Sequence, residues 1–245
     1  MRTAVLSDIH ANLEALEAVM ERIDALSVDQ TFVLGDIVGY CADPNAVVER
    51  LGSLPSVVLL AGNHDLAATG RFDRSWFNTV AEQALAWTAR VLEERTHAVL
   101  APLEPSGRRG DATLLVHGSP REPVTEYVTN ASVAQESFAA QSFDLCFFGH
   151  THVPVAYVRE GRRVSRLALP DGERVPFARP GTRVMLNPGS VGQPRDGDPR
   201  ASFLIVEDEE TAQVVRVDYD VARTQEKIRA AGLPEMLASR LEVGR

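Results

Sequence analysis

Five of the six histidines in this 245-residue chain stand in short motifs that also contain Asp, Asn or Gly. In chain order these are Asp8-Ile9-His10, Gly35-Asp36, Gly62-Asn63-His64-Asp65, His117-Gly118 and Gly149-His150-Thr151-His152. Carboxylate, imidazole and amide groups without thiolate suit divalent ions such as Mn, Fe, Co, Ni or Zn. The potential ligands are too many for one ion and fit two ions that share a bridging carboxylate. The motifs together predict a dinuclear metal site.

Each motif taken alone has an ordinary structural explanation. Gly-Asp after a strand is often only a turn, and a single histidine such as His117 is more often a half-buried residue than a ligand. His150 and His152 are two residues apart, so in an extended segment both side chains lie on one side, which suits metal ligation. His97 lies outside the pattern and receives no role. The combination is therefore far more specific than any single motif.

Every motif directly follows a predicted strand. Short apolar runs predict these strands at 3–7, 31–34, 57–60, 114–116 and 144–148. Ligands of open α/β sheets bind outside the carboxyl ends of the strands, so the five motifs are expected to meet at one place.

The remaining pattern predicts one domain over 1–245, with two facing sheets and helices outside. Helices are expected at 12–26, 44–51, 76–95 and 221–231, with Asp43 capping the second of them. Turn-separated strands after Gly149 favour antiparallel pairing, at 153–157, 164–169, 184–186, 202–206 and 213–217. Pro and Gly residues between 102 and 110 predict a loop. Residues 66–112 form a helical cap or insertion in this interpretation and frame a cleft together with 159–182.

The composition argues against several functional classes of protein. The net charge of −9 argues against extended nucleic-acid binding, although a local metal charge still attracts a small phosphate ester. The only lysine is Lys227, which makes lysine-dependent chemistry improbable. Cys41 and Cys146 match no ligand or disulfide pattern, and no apolar stretch is long enough to span a membrane. A cytoplasmic protein is the simplest interpretation.

The order of the motifs resembles the calcineurin-like metallophosphoesterase superfamily over residues 3–206. Residues 187–195 (NPGSVGQPR) are similar to a segment of its small bacterial phosphodiesterase-like branch. The resemblance implies an α/β fold, a four-layer α/β/β/α sandwich with two facing mixed β-sheets. It also implies ligand roles. Asp8, His10 and His152 would hold one metal, Asn63, His117 and His150 the other, and Asp36 would bridge them.

The same resemblance implies a reaction. Two divalent ions, with manganese favoured over Fe, Zn, Co or Ni, would deprotonate a bridging water that attacks phosphorus in line. His64 would act as the general acid that protonates the leaving oxygen, and Asp65 would orient its imidazole. The expected function is hydrolysis of a phosphodiester or phosphomonoester. The alternatives are a non-catalytic metal-binding scaffold of the same fold, a protein phosphatase and a nuclease.

Residues beside the motifs are candidates for contacting the substrate. Arg195 follows a turn rich in Gly and Pro and can contact the phosphate, and Tyr40 can pack on the leaving group. Each also has an equally good ordinary explanation, because Arg195 can be a solvated loop residue and Tyr40 a half-buried tyrosine. Ser119 and Asn187 are candidates for hydrogen bonds to the ligands. The aromatic residues Trp76, Phe77 and Trp87 are expected to pack on their helix rather than on substrate.

Overall fold

Two six-stranded sheets form the centre of the computed structural model, which describes residues 1–54 and 56–245. The first sheet has the order β3-β2-β1-β11-β12-β9 and contains β1 (Arg2–Leu6), β2 (Gln30–Val33), β3 (Val57–Leu59), β9 (Arg174–Pro176), β11 (Ala201–Glu207) and β12 (Thr211–Val217). The second has the order β4-β5-β6-β10-β7-β8 and contains β4 (Ser106–Arg109), β5 (Thr113–Val116), β6 (Leu145–Phe147), β7 (Val155–Glu160), β8 (Arg163–Leu167) and β10 (Thr182–Asn187). Both sheets mix parallel and antiparallel pairs.

Helices flank the sheets. They are α1 (Leu13–Ala25), α2 (Pro44–Gly52), α3 (Asn63–Ala68), α4 (Thr79–Val91), α5 (Glu94–Leu100), α6 (Ala131–Ala140), α7 (Val221–Ala230) and α8 (Glu235–Ser239). Short 3-10 helices lie at Arg74–Trp76 and Arg240–Val243. Among the described residues no helix combines the length and the apolar character that crossing a membrane requires.

The alternation of side chains along the strands builds the layers. In β1, Ala4 and Leu6 pack with α1 and α2, whereas Val5 points the other way into a core between the two sheets. In β6, Phe147 joins that same central core, and Cys146 packs with α6 on the far side. Since side chains of a strand point alternately to its two faces, each sheet separates two cores. The result is the expected α/β fold with two facing mixed sheets.

The helix expected over 76–95 is wrong in its extent. The chain is extended at Phe77, and the side chain of Asn78 accepts a hydrogen bond from the N–H of Ala81 at 3.1 Å, so a new helix, α4, begins there. The loop expected from the Pro and Gly residues is also partly wrong, because Ser106–Arg109 forms β4 and pairs antiparallel with β5. Gly110, at φ +62°, makes the turn that joins the two strands. The α6 helix had no counterpart among the predicted elements.

Asp43 stands at the start of α2 as expected, but its side chain does not cap the helix. Its carboxylate instead accepts a hydrogen bond from Lys227 Nζ at 2.8 Å, and the same ammonium also pairs with Glu14. The ion pair competes with the N-terminal amides of α2 for the carboxylate and joins α7 to the beginnings of α1 and α2. The predicted helices α1 and α7, by contrast, are confirmed to within one residue at each end.

Candidate metal centre

The loops after the strands hold their functional residues in an uncommon backbone conformation. Asp8, His10, Asp36, His150 and His152 have φ values of 55°, 52°, 51°, 64° and 58°. Non-glycine residues rarely occupy this left-handed region, and such strain concentrates at functional sites. Hydrogen bonds between loops fix the conformation, because the N–H of Asp8 donates to the carbonyl of Gly35 at 3.0 Å and that of His10 to Asp36 at 2.9 Å.

A first group of ligand atoms comes from Asp8, His10, Asp36 and His152, and all of them lie within 4.8 Å of one another. His152 Nε2 lies 3.3 Å from Asp8 Oδ1 and 3.2 Å from His10 Nε2. His10 Nε2 is 3.6 Å from Asp36 Oδ2. All four side chains are buried, so these atoms converge on one enclosed point and can surround one divalent ion.

A second group comes from Asp36, His117 and His150. His117 Nε2 lies 3.5 Å from Asp36 Oδ2 and 3.0 Å from His150 Nδ1. The same nitrogen lies 3.1 Å from Asn63 Oδ1, which adds the amide oxygen to the group. Asp36 Oδ2 faces both groups, which is where a bridging carboxylate must stand. We call the seven residues of both groups the metal cage: Asp8, His10, Asp36, Asn63, His117, His150 and His152.

Backbone carbonyl groups fix which ring nitrogen of each cage histidine faces the centre. A carbonyl oxygen can only accept, so the ring nitrogen beside it carries the proton and the other nitrogen is free to ligate. His117 Nδ1 donates to Leu34 at 2.9 Å, His152 Nδ1 to Gln193 at 2.5 Å, and His150 Nε2 to Thr125 at 3.2 Å. The nitrogens that remain are the ones that define the two groups above.

The electrostatics of the cage fit bound cations. Burial raises the pKa of Asp8 to about 7, and the pKa of Asp36 is raised by burial and by the nearby Asp65. Asp8 Oδ1 is fully buried and accepts no hydrogen bond from the described residues. Burial also lowers the pKa of His10, His150 and His152, which favours the neutral imidazole that binds metals. Two buried carboxylates among neutral imidazoles lack the positive charge that divalent ions supply.

The structure corrects the role expected for Asp65. Both of its carboxylate oxygens accept backbone hydrogen bonds, from Gly62 at 2.8 Å, Val38 at 2.9 Å and Ile37 at 3.1 Å. The ring of His64 receives nothing from it, and His64 Nδ1 has no partner among the described residues. The expectation that Asp65 orients His64 is therefore wrong. Three amide donors hold the carboxylate in place, so Asp65 ties the loop after β2 to the start of α3.

Next to the cage lies a cavity of about 290 Å³, which we call the cleft. Asn63 and His64 form its inner end, and the ring of His64 lies 4.4 Å from that of Tyr40 and 4.9 Å from that of Phe77. The rest of its lining consists of Tyr40, Trp76, Phe77, Asn78, Ala81, Tyr127, Arg195 and Arg240.

The predicted substrate residues Tyr40 and Arg195 both line the cleft. Arg195 Nη2 donates to Gln193 Oε1 at 3.1 Å and lies 3.4 Å from the Tyr40 hydroxyl. Trp76 and Phe77 also line the cleft, whereas Trp87 lines a separate surface cavity. That these rings pack on the protein rather than on substrate stays a prediction. Sequence reasoning missed Tyr127 and Arg240, since neither stands beside a metal-ligand motif.

The two residues predicted to hydrogen-bond the ligands, Asn187 and Ser119, contact the loops that carry or fix the ligands. Asn187 Nδ2 donates to the carbonyl of Gly149 at 2.7 Å, which steadies the segment that carries His150. Ser119 donates to Glu126 Oε2 at 2.6 Å, and its oxygen accepts from the N–H of Glu122 at 2.9 Å. The loop that it braces supplies the Thr125 carbonyl that fixes His150. His97 is exposed on α5, away from all of these.

Comparisons with known proteins agree with the architecture. The family model described as the calcineurin-like phosphoesterase superfamily domain matches residues 1–211. An uncharacterized protein of Methanocaldococcus jannaschii is 36% identical, over 99% of this chain and 98% of its own. The crystal structure of a metallophosphoesterase from Sphaerobacter thermophilus is 43% identical with a TM-score of 0.87 and covers 100% of this chain and 99% of its own. A hypothetical protein from Pyrococcus horikoshii shares the fold at 21% identity, with a TM-score of 0.81 and coverage of 100% and 98%.

Proposed function

The chain belongs to the calcineurin-like phosphoesterase superfamily, and on that premise we propose that it hydrolyses phosphate esters at a centre of two divalent ions. The observation that carries the proposal is the position of Asp36, whose Oδ2 lies 3.6 Å from His10 Nε2 and 3.5 Å from His117 Nε2. One carboxylate thus serves two buried ligand groups. Manganese is the favoured metal, because the mixed oxygen and imidazole set suits a borderline-to-hard ion.

When bound, the ions would supply the positive charge that draws in the phosphate and activates water. The protein's own residues then define the rest of the site. Asn63 belongs to the cage and also lines the cleft, so a phosphate at the cage extends its ester groups along that cavity. Arg195 can donate to the phosphate oxygens, and its buried Nε has no acceptor among the described residues.

His64 is the residue that we assign to general-acid chemistry. It follows a cage residue in the chain without belonging to the cage, and it lines the cleft where a leaving group would lie. A departing alkoxide needs a proton, and a positioned imidazole is the commonest donor. The backbone N–H of His64 donates to Asp36 Oδ1 at 2.9 Å, which fixes the position of His64 relative to that carboxylate.

The test is metal-dependent hydrolysis of p-nitrophenyl phosphate and bis-p-nitrophenyl phosphate by protein stripped of metal and reloaded with Mn²⁺. We expect turnover only after loading, with two ions per chain by plasma mass spectrometry. His64→Gln should keep both ions and lose rate, by about 10²-fold or more for an alkyl ester such as a dinucleotide and less for p-nitrophenyl esters, whose leaving group needs little protonation.

The mono- and bis-esters separate a phosphomonoesterase from a phosphodiesterase. Two bound ions with no turnover of any ester would favour the non-catalytic scaffold instead. Fewer than one ion per chain after loading would contradict the dinuclear centre itself.

A further inference from the structure

Two guanidinium groups line the cleft, and neither has an Asp or Glu partner among the described residues. Neither Arg195 nor Arg240 forms an ion pair with Asp or Glu among the residues that the structure describes. Among the described residues, Arg195 donates only to Gln193 and, at longer range, to Tyr40, and its buried Nε has no partner there. Partly buried charges are normally paired, so two guanidinium groups that line one cavity without an Asp or Glu partner among the described residues suit an anionic ligand.

Arg240 is held in a fixed place. It begins the 3-10 helix at Arg240–Val243, and its Nε donates to the main-chain oxygen of Arg245. Its other guanidinium N–H groups donate to no described residue and can serve a ligand in the cleft. The neighbouring Leu241 is buried against the cluster that also contains Tyr40 and Ala81, and this packing anchors the helix beside the cleft. Burial and then the charge of Arg195 lower the pKa of Arg240, as expected for like charges that face one space.

The cleft is larger than one phosphate needs. Tyr40, Asn78 and Arg240 also line a second cavity of about 620 Å³, so Arg240 stands where the two spaces meet. Aromatic rings form much of the walls near the cage. Tyr127 stacks on His150 with ring centroids 3.8 Å apart, and Trp76 and Phe77 meet edge to face at 5.2 Å. Such walls suit a flat ring between two anionic groups.

We propose that the cleft binds a phosphate ester that carries a second phosphate on a ring-bearing organic group, with Arg240 holding that second phosphate. The chemical class is a nucleotide with two phosphates, one at the metal cage beside Arg195 and one at Arg240. Because a guanidinium group can form two parallel hydrogen bonds to phosphate, Arg240 favours a phosphate over a neutral group. The inference rests on the proposed function for the site of cleavage, but Arg240 makes its contact independently of the metals.

A matched pair of reporters tests it, namely the p-nitrophenyl ester of thymidine 5′-phosphate with and without a 3′-phosphate. Only cleavage of the p-nitrophenyl ester releases colour. We expect kcat/KM to be at least about tenfold higher for the reporter with the 3′-phosphate, as a charged hydrogen bond allows. Arg240→Gln, which keeps a donor for the Arg245 carbonyl, should abolish that ratio, and Arg240→Lys should retain part of it. Arg162→Ala, an exposed arginine on the turn between β7 and β8, should keep the full ratio.

A binding measurement separates failure of this inference from failure of the proposed function. Calorimetry on the metal-free protein compares thymidine 3′,5′-bisphosphate with thymidine 5′-phosphate. We expect tighter binding of the bisphosphate, lost in Arg240→Gln. Equal kcat/KM for both reporters, or a ratio that survives Arg240→Gln, overturns the inference while hydrolysis stands. If neither reporter is cleaved, the proposed function fails, and equal binding of the two nucleotides then overturns this inference as well.

Discussion

The metal cage and the cleft lie side by side but are built differently. Every cage side chain is at most 2% exposed, and each is fixed by backbone hydrogen bonds or by its neighbours in the cage. In the cleft, Trp76 is 48% exposed and Tyr127 is 41% exposed. The cage comes from loops at strand ends, whereas the cleft is assembled from the start of α4, the loop before α6 and the chain after α8. The possible metal ligands thus lie in the enclosed part, whereas the proposed substrate contacts lie on more exposed elements.

The largest effect is expected at the residue shared by both cage groups. Asp36→Asn keeps the shape and the oxygen that accepts from His64 but removes the negative charge facing both groups. We expect loss of at least one ion per chain and more than about 10²-fold loss of activity, since even partners outside the ligand set cost 10- to 100-fold. Mass spectrometry and esterase assays measure both. Asp111→Asn, at an exposed turn, is the control, and full metal content in Asp36→Asn would remove it from the cage.

The next largest effect is expected from steric crowding at Gly62. A Cβ on Gly62 would stand 2.0 Å from Asp36 Oδ1 and 2.4 Å from the Asp36 backbone nitrogen, so backbone must move. We expect Gly62→Ala to lower the free energy of unfolding by about 1–3 kcal/mol, the usual range for overpacking. Denaturant titration of the metal-free protein measures it.

Gly52→Ala is the matched control, because no atom of the described residues lies within 4 Å of its added Cβ at the end of α2. We expect that variant to be neutral or stabilised by about 0.5–1 kcal/mol. If both variants unfold at the same denaturant concentration, the backbone around Gly62 tolerates the added Cβ. The cage would then be less rigid than inferred above.

Thiol labelling measures how often the cage opens. Cys41 is buried, its N–H donates to the carbonyl of His10 at 3.1 Å, and burial raises the pKa of its thiol. In Cys146→Ala protein we expect negligible reaction with a disulfide reagent in the native state. Mn²⁺ should slow it further by about tenfold or more where the ion exceeds ten times its dissociation constant, because opening must release it. A labelling rate that Mn²⁺ leaves unchanged would separate the movement of Cys41 from the cage.

The positions of the cage residues could be predicted because each motif follows a strand, and strand ends converge by topology alone. Asp65 shows that two neighbouring residues in the chain need not interact through their side chains. Its neighbour in the chain is His64, yet α3 begins at Asn63, and at the third helical position its carboxylate turns back to the N–H of Gly62. The spacing of Gly62 and Asp65 is that of a capping pattern, a signal that the sequence did contain. Adjacency alone could not show the direction of the side chain.

The residues of the cleft were not marked by a comparable sequence motif. Arg240 reaches the cleft because Leu237 of α8 and Leu241 of the following 3-10 helix pack in one cluster with Tyr40 and Ala81. No local period or motif encodes that contact, since its partners lie more than 150 residues apart in the chain. Tertiary packing of this kind depends on shapes that a single sequence does not display.

The smallest effect is expected at the exposed wall of the cleft. Trp76→Ala removes a ring that lines the cleft without touching the cage, so metal content should stay at the wild-type value. An aromatic contact contributes about 0.5–1.5 kcal/mol, so kcat/KM for an ester with a ring-bearing group should fall by about 2- to 12-fold. The fall should lie in KM, because the ring acts on binding and not on the reacting atoms. Trp87→Phe, beside a different cavity and with an aromatic ring kept against its cluster, should leave kcat/KM unchanged. A loss of metal in Trp76→Ala would mean that the cage and the cleft are not separable.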